Sequence, residues 1–130
     1  MQFNFYDAII LQSLYTDKSE NIKAFVTSVI PYIDYLDHSI ISYTELIESF
    51  SKLICVGFLI QEDDTLKLSP AAIKILVQKH FGKKNPLKII NEIEVYLNLE
   101  FKLIEVICKN QTIELTQNDF DKIKKDYLKN

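Results

Sequence analysis

Residues 42–70 read SYTELIESFSKLICVGFLIQEDDTLKLSP, and this stretch holds the clearest local signals in the chain. Ser42 and Glu45 stand three residues apart ahead of an apolar-periodic run, which is the spacing of a capping box at a helix start. Gly57 follows that run, at the position where a glycine commonly ends a helix. The stretch therefore predicts a helix that begins after Ser42 and stops at Gly57.

A β-hairpin is predicted directly after this helix. Two short runs of β-type residues, 58–60 and 66–68, flank the polar segment 61–65. Such a pair of runs with a turn segment between them is typical of a hairpin. Because residues 61–65 contain no glycine, the connection could also be a longer loop.

Two further helices are predicted upstream of this stretch. Apolar residues recur at helical spacing over residues 3–16. Ser19 can cap a second helix that runs towards Asp37. Pro31 lies inside that second helix, where a proline removes a backbone hydrogen bond, so we expect a kink or a split near residues 28–31.

Downstream of the hairpin, three helix-start signals follow one another. Ser69-Pro70 predicts a helix that ends at Gly82, and Asn85-Pro86 predicts one that continues to about Leu99. Residues 116–119 resemble a capping box and predict a last helix. Two interpretations are open between these helices, since residues 101–108 could extend the helix or pair as a strand with 112–115.

The order of helix, kinked helix, helix and hairpin is that of a winged-helix protein, a helix-turn-helix with a β-hairpin wing. Residues 34–46, DYLDHSIISYTEL, also resemble a group of uncharacterised bacterial winged-helix proteins whose pattern here is roughly Asp-x-Ile-Asn-His-Ala-Ile-Pro-Thr-x-x-Glu-Leu. The chain departs from that pattern at Asp37, Ser39 and Ile41. The similarity covers about residues 5–76, and it implies a fold without implying a site.

These signals together predict the fold class and the domain organisation. We expect a mainly α protein with a small β-hairpin, which a chain of 130 residues builds as a single domain. Within it, residues 3–82 form a winged-helix core and residues 86–130 form a C-terminal helical extension. A possible second hairpin lies near residues 101–115.

Cysteine usage and the N-terminus indicate a cytoplasmic protein. Cys55 and Cys108 are far apart and lack the spacing of a redox motif, which favours two reduced thiols over a disulfide framework. Residues 1–7 hold no basic stretch of the kind that opens a signal peptide. No charge-free apolar run is long enough to span a membrane.

Charge argues against DNA as the partner of the predicted recognition helix. Residues 1–70 carry ten acidic side chains and four lysines, a net charge of −6, and the whole chain has no arginine. A DNA duplex attracts lysine and arginine, whereas the wing tip at 62–64 holds three carboxylates. The helix face predicted to meet a partner is Glu45, Glu48, Ser51, Lys52 and Cys55.

One basic cluster follows the hairpin. Lys79, Lys83, Lys84 and Lys88 lie around the Gly82 turn, where cations complement the dipole of a helix C-terminus. An anion-binding patch is the alternative interpretation. The sequence contains no metal-ligand spacing and no nucleotide-binding glycine motif, so we expect no metal, no cofactor and no enzymatic activity.

The segment from Pro86 to Cys108 carries more apolar side chains than one helix face can bury. One set is predicted to pack on the core, namely Leu87, Ile90, Leu97, Phe101, Ile104 and Cys108. The other set would face outward, and a second copy would cover it, namely Ile89, Val95, Leu99, Leu103, Val106 and Ile107. The alternative is a strand over 101–108 that buries both sets within one chain.

The first functional hypothesis is therefore a non-catalytic, regulatory winged-helix module that acts through protein–protein contacts or dimerisation. A DNA-binding transcriptional regulator with an atypical contact surface is the second hypothesis. A small-ligand sensor or an enzyme is the third.

Overall fold

The computed structural model describes residues 1–83, 85–103 and 113–129. Within these residues the protein is mainly helical with one antiparallel two-stranded hairpin, which confirms the predicted fold class. In chain order, the helices and strands are α1 (Phe5–Asp17), α2 (Ile22–Asp37), α3 (Tyr43–Cys55), β1 (Leu59–Glu62), β2 (Thr65–Leu68), α4 (Pro70–His80), α5 (Pro86–Glu100) and α6 (Gln117–Lys129).

The predicted capping box at the start of α3 is confirmed. The Ser42 hydroxyl accepts a hydrogen bond from the Glu45 amide at 3.1 Å, and the Glu45 carboxylate accepts one from the Ser42 amide at 3.0 Å. The predicted starts of α4 and α5 are confirmed as well, each with its proline in the first turn. The start of α2 differs, because Asn21 and not Ser19 accepts the hydrogen bond that caps this helix.

Gly57 ends α3 as predicted. It adopts a φ of +78°, which an L side chain rarely adopts. The Gly57 amide donates to the Ile54 carbonyl at 3.0 Å, and the Phe58 amide donates to the Leu53 carbonyl at 2.9 Å. These two hydrogen bonds make a Schellman motif, which ends the helix and turns the chain directly into β1.

Helix α2 runs unbroken through Pro31, so the predicted split is wrong. Pro31 has no amide hydrogen for the carbonyl of Thr27, four residues earlier. Thr27 lies on the exposed side of α2, where water can hydrogen-bond to that carbonyl. The loss of one backbone hydrogen bond therefore does not interrupt the helix.

The connection between β1 and β2 is shorter than the absence of glycine from residues 61–65 led us to expect. Leu59 pairs with Leu68 and Glu62 pairs with Thr65, which leaves a two-residue turn. Asp63 takes the left-handed conformation in that turn with a φ of +53°, a region that aspartate tolerates better than most residues. The longer loop is therefore not formed.

A third short segment extends this small sheet on the outer edge of β2. The Ile22 amide donates to the Asp64 carbonyl at 2.8 Å, and the Leu66 amide donates to the Glu20 carbonyl at 2.6 Å. Asn21 and Thr65 form an antiparallel bridge between these two hydrogen bonds. The α1–α2 connection is thus attached to the hairpin.

The hydrophobic core is centred on α1. Its residues 7–14 are buried without interruption. Helices α2, α3, α4 and α5 all pack against it. A helix that is covered on every side is buried by its neighbours and has no solvent face of the usual amphipathic kind.

The C-terminal extension packs on two sides of this core. Helix α5 contacts α1 and α4, whereas α6 contacts α2 and α3. The capping box that opens α6 is confirmed, because Thr116 and Asp119 exchange side chain to backbone hydrogen bonds. Of the possible second hairpin, residues 101–103 form a turn, residues 113–116 form no strand, and 104–112 lie outside the described residues.

The buried face of α5 differs from the predicted stripe. Leu97 and Ile90 are buried as predicted, but Ile89 is buried although it was assigned to the outer set, and Leu87 is exposed. Ile93 completes the buried face. The stripe therefore follows the ordinary helical repeat, and the near-heptad prediction misplaced Leu87 and Ile89.

None of the helices in the described ranges is long and apolar enough to cross a lipid bilayer.

Candidate functional site

The outer face of α3 was the predicted partner-facing surface, and the structure divides its residues into two groups. Glu45 and Glu48 are exposed, whereas Ser51, Lys52 and Cys55 are partly buried. Glu45 already accepts the capping hydrogen bond from Ser42. The free charge on this face is therefore negative.

Lys52, the only cation predicted for this face, is used inside the molecule. Its Nζ lies 2.5 Å from Oδ2 of Asp7, a carboxylate on α1 that is fully buried. The same Oδ2 accepts the Asn4 amide at 2.7 Å, and the Lys52 ammonium lies 5.5 Å from the ring centre of Phe3. The ammonium therefore neutralises a core carboxylate and is not available to an external phosphate.

Cys55 is disulfide-bonded, so the prediction of a reduced thiol at this position is wrong. The only other cysteine of the sequence, Cys108, lies outside the described residues. Disulfides persist mainly in oxidising compartments. The cysteine argument for a cytoplasmic location therefore no longer holds.

The C-terminal extension contacts the beginning of α3. The Tyr43 hydroxyl donates to the Leu115 carbonyl at 2.6 Å, and the Tyr43 ring lies 5.7 Å from that of Phe120. On the neighbouring strand, Gln61 accepts a hydrogen bond from the Glu114 amide at 3.0 Å. The first turn of α3 is thus in contact with the protein's own chain.

Two carboxylates, Asp119 on α6 and Asp34 on α2, form contacts that hold α6 against α2. Hydrogen bonds from the backbone and side chain of Thr116, with Lys23 3.5 Å away, hold the pKa of Asp119 below its usual range. The Tyr127 hydroxyl donates to Asp34 at 2.6 Å. That hydrogen bond to a carboxylate favours the neutral phenol and raises the pKa of Tyr127.

The hairpin tip carries the three predicted carboxylates on its surface. Glu62, Asp63 and Asp64 are all exposed, and Asp64 accepts a hydrogen bond from the Asn21 side chain at 3.2 Å. Carboxylates at this position repel a phosphate backbone.

The predicted basic patch is arranged around a carboxylate. Lys83 donates to Glu92 on α5, and this hydrogen bond, together with the charges of Lys79 and Lys88, lowers the pKa of Glu92. The Lys79 ammonium also lies 5.6 Å from the ring centre of Tyr96. Lys84 lies outside the described residues. Glu92 thus partly neutralises the positive charge of the described lysines.

The outer face of α5 has the opposite character. Val95 and Leu99, one helical turn apart, are 58% and 70% exposed, and Leu103 just beyond the helix is 91% exposed. A shallow depression of about 540 Å³ runs beside this ridge between α5 and the end of α4. Its charged lining carries both signs, namely Lys79, Lys83, Glu92 and Glu100.

Sequence reasoning named Val95, Leu99 and Leu103 but missed Asp7 and Tyr43. Asp7 and Lys52 are separated by 45 positions, and Tyr43 and Leu115 by 72. A carboxylate directly before the apolar run 8–11 was the signal in the sequence that pointed to a buried partner.

Among the described residues, no group of three His, Cys, Asp or Glu side chains is arranged to hold a metal ion. Comparison with family models, curated proteins and solved structures finds no match to this chain.

Proposed function

We propose that this chain is a winged-helix module without catalytic activity that acts through protein–protein contacts, and that the outer face of α5 pairs with a second copy. The exposed ridge of Val95, Leu99 and Leu103 carries the proposal. Contiguous exposed apolar surface is uncommon on a soluble monomer and is typical of an interaction site.

The order of the helices and the hairpin supports the winged-helix part of the proposal. Helices α1, α2 and α3 precede the hairpin, and α3 passes directly into β1 through the Gly57 motif. The hydrogen bonds of residues 20–22 to β2 attach the α1–α2 connection to the hairpin. The helices and the wing are thereby joined into one unit.

The charges beside the ridge favour a second copy as the partner. A two-fold interface brings the same surface of each copy together, so that surface must complement itself. The depression beside Val95 and Leu99 carries two lysines and two glutamates. A face with both signs of charge around an apolar ridge meets this requirement, whereas a strongly acidic face would not.

The alternative of a DNA-binding regulator is less well supported. The surface it needs is the α3 face, whose lysine is paired with Asp7 and whose first turn contacts Leu115. The wing tip adds exposed carboxylates, and each of these features disfavours contact with phosphates.

Light scattering after size exclusion tests the proposal. We expect a mass near twice the 15.2 kDa of the chain at micromolar protein concentration. Leu99→Lys, at an exposed helical position that the fold does not need, should shift that mass to 15.2 kDa with an unchanged circular dichroism spectrum. Tyr35→Lys on α2 is the matched control, since Tyr35 is 77% exposed on another helix, and it should leave the dimer intact.

Two results would contradict the proposal. One is a wild-type mass of 15.2 kDa from micromolar to millimolar protein. The other is a specific complex with a DNA duplex that persists at physiological salt, which would support the regulator hypothesis instead.

A further inference from the structure

A groove of about 720 Å³ opens between the end of α1, strand β2 and helix α4. This volume falls within the range of small-molecule sites in proteins, roughly 300–1,000 Å³. Its apolar lining consists of Leu14, Tyr15, Leu66, Leu68, Ile73 and Val77. The groove uses none of the residues proposed for self-association.

The groove has an exposed apolar wall on α4 and an aromatic ring from α1. Ile73 and Val77, one turn apart on α4, are 44% and 47% exposed. The Tyr15 ring, which also lines the groove, packs on the ring of His80 at the end of α4 with 4.4 Å between the centroids. The His80 Nδ1 is bonded to the Leu76 carbonyl at 2.7 Å, which holds that imidazole against α4. The Tyr15 ring is therefore held in position before a ligand binds.

The groove is positively charged, although residues 1–70, which supply most of its lining, are acidic overall. The acidic half of the chain, residues 1–70, contains four lysines. Lys23 pairs with Asp119 and Lys52 pairs with Asp7. The other two, Lys18 and Lys67, both line the groove, and neither forms an ion pair within the described part of the chain. Glu20 is the single carboxylate of the lining, so the groove carries a net positive charge.

The strand at the base of the groove adds a backbone donor. The Ser69 amide donates to the Phe58 carbonyl, so Leu59 and Leu68 form a pair that does not exchange ladder hydrogen bonds. The Leu68 amide consequently points away from β1, towards the same edge at which Leu66 donates to Glu20. That edge borders the groove.

We propose that this groove binds a small amphipathic carboxylate, whose chain lies along Ile73 and Val77 and whose acid group lies between Lys18 and Lys67. The apolar wall favours contact with an alkyl or aryl chain. Two lysines that form no ion pair among the described residues, together with an outward amide, favour an anionic head. A purely apolar ligand would leave these donors unused.

Calorimetric titration of the full chain with octanoate, octanol and octylamine tests the proposal, because the three probes share a chain and differ in charge. We expect saturable binding of one octanoate per chain. Octanol should bind about fivefold more weakly, the size of a partly exposed ion pair, and octylamine more weakly still. Saturable binding should weaken as salt is added.

Two double variants test whether the probe binds in the groove. Lys18→Gln with Lys67→Gln should remove the preference for octanoate over octanol, and Ile73→Gln with Val77→Gln should weaken both probes. Lys74→Gln and Phe81→Gln are the matched controls, since these exposed residues do not line the groove, and they should change neither. Absence of saturable octanoate binding, equal affinity for all three probes, or an unchanged affinity in both groove variants would overturn the proposal.

Discussion

The outer faces of α3 and α5 differ in how far their side chains are already engaged within the molecule. On α3, Lys52 is neutralised by Asp7, Cys55 is disulfide-bonded, and the first turn contacts Leu115. On α5, Val95 and Leu99 project from the helix and are mostly exposed. Several outer side chains of α3 are thus engaged within the molecule, whereas the outer face of α5 is open.

This difference teaches that the position of a helix in the chain does not by itself identify the surface that binds a partner. A position on a recognition helix predicts a binding role only when its side chains are free to reach a partner. Exposed carboxylates, such as Glu48, are well solvated and need no partner. An exposed leucine differs, because burying its apolar surface against a partner is favourable in free energy.

The largest effect is expected where α3 is tied to the core. Lys52→Met removes the cation beside the buried Asp7 carboxylate, and an uncompensated buried charge costs about 3 kcal/mol of unfolding free energy. Urea denaturation measures this change.

The double variant Asp7→Asn with Lys52→Met serves as its control. Replacing both charges removes the penalty of an isolated ion, so the double variant should be more stable than Lys52→Met alone. If the single variant is as stable as the wild type, then Lys52 is not engaged internally and the comparison of the two faces fails.

A smaller effect is expected where the C-terminal extension meets α3. Tyr43→Phe deletes the hydroxyl that donates to the carbonyl of the buried Leu115 and should cost about 1 kcal/mol. Hydrogen exchange should become faster in residues 113–120 and remain unchanged in α5. Tyr35→Phe is the matched control, because Tyr35 is exposed on α2, and it should alter neither stability nor exchange.

The smallest effect concerns the pH dependence of the α6 attachment. The pKa of Asp119 is lowered in the folded protein by hydrogen bonds from Thr116. The charged form is therefore favoured by folding, and its stabilisation is complete above the ordinary value of 3.8 and is lost as pH falls through the lower folded pKa.

Asp119→Asn should accordingly be less stable than the wild type at neutral pH, and the two should converge in strong acid. Thermal melting across the acid range measures the difference. A gap that stays constant into strong acid would show that the carboxylate's charge contributes nothing to α6.

Sequence predicted the features of the fold that depend on neighbouring residues. The Ser42–Glu45 box, the Ser69-Pro70 start and the Gly57 stop each involve hydrogen bonds within a few residues, and all three are confirmed. The start of α2 was misassigned because Ser19 and Asn21 are both competent caps. Only the pairing of residues 20–22 with β2, a distant contact, favours Asn21.

The candidate surfaces were less accessible to sequence reasoning, because they depend on which distant side chains meet. A helical wheel places Lys52 on the outer side of α3, yet Asp7 draws its ammonium inward. The same wheel correctly predicted that Val95 and Leu99 face outward on α5. The groove between α1, β2 and α4 joins segments that no local pattern connects, and it was not predicted.

The central position of α1 also sets the order in which the protein can be completed during synthesis. This helix is synthesised before α5, and the hydrogen bonds that join Phe3 to Asn98 on α5 span 95 residues. At typical elongation rates, that interval takes roughly 5–20 s. Throughout it, the apolar surface that α5 will cover on α1 stays open to solvent or to a chaperone. A nascent chain arrested before α5 is made therefore leaves part of this otherwise buried helix uncovered.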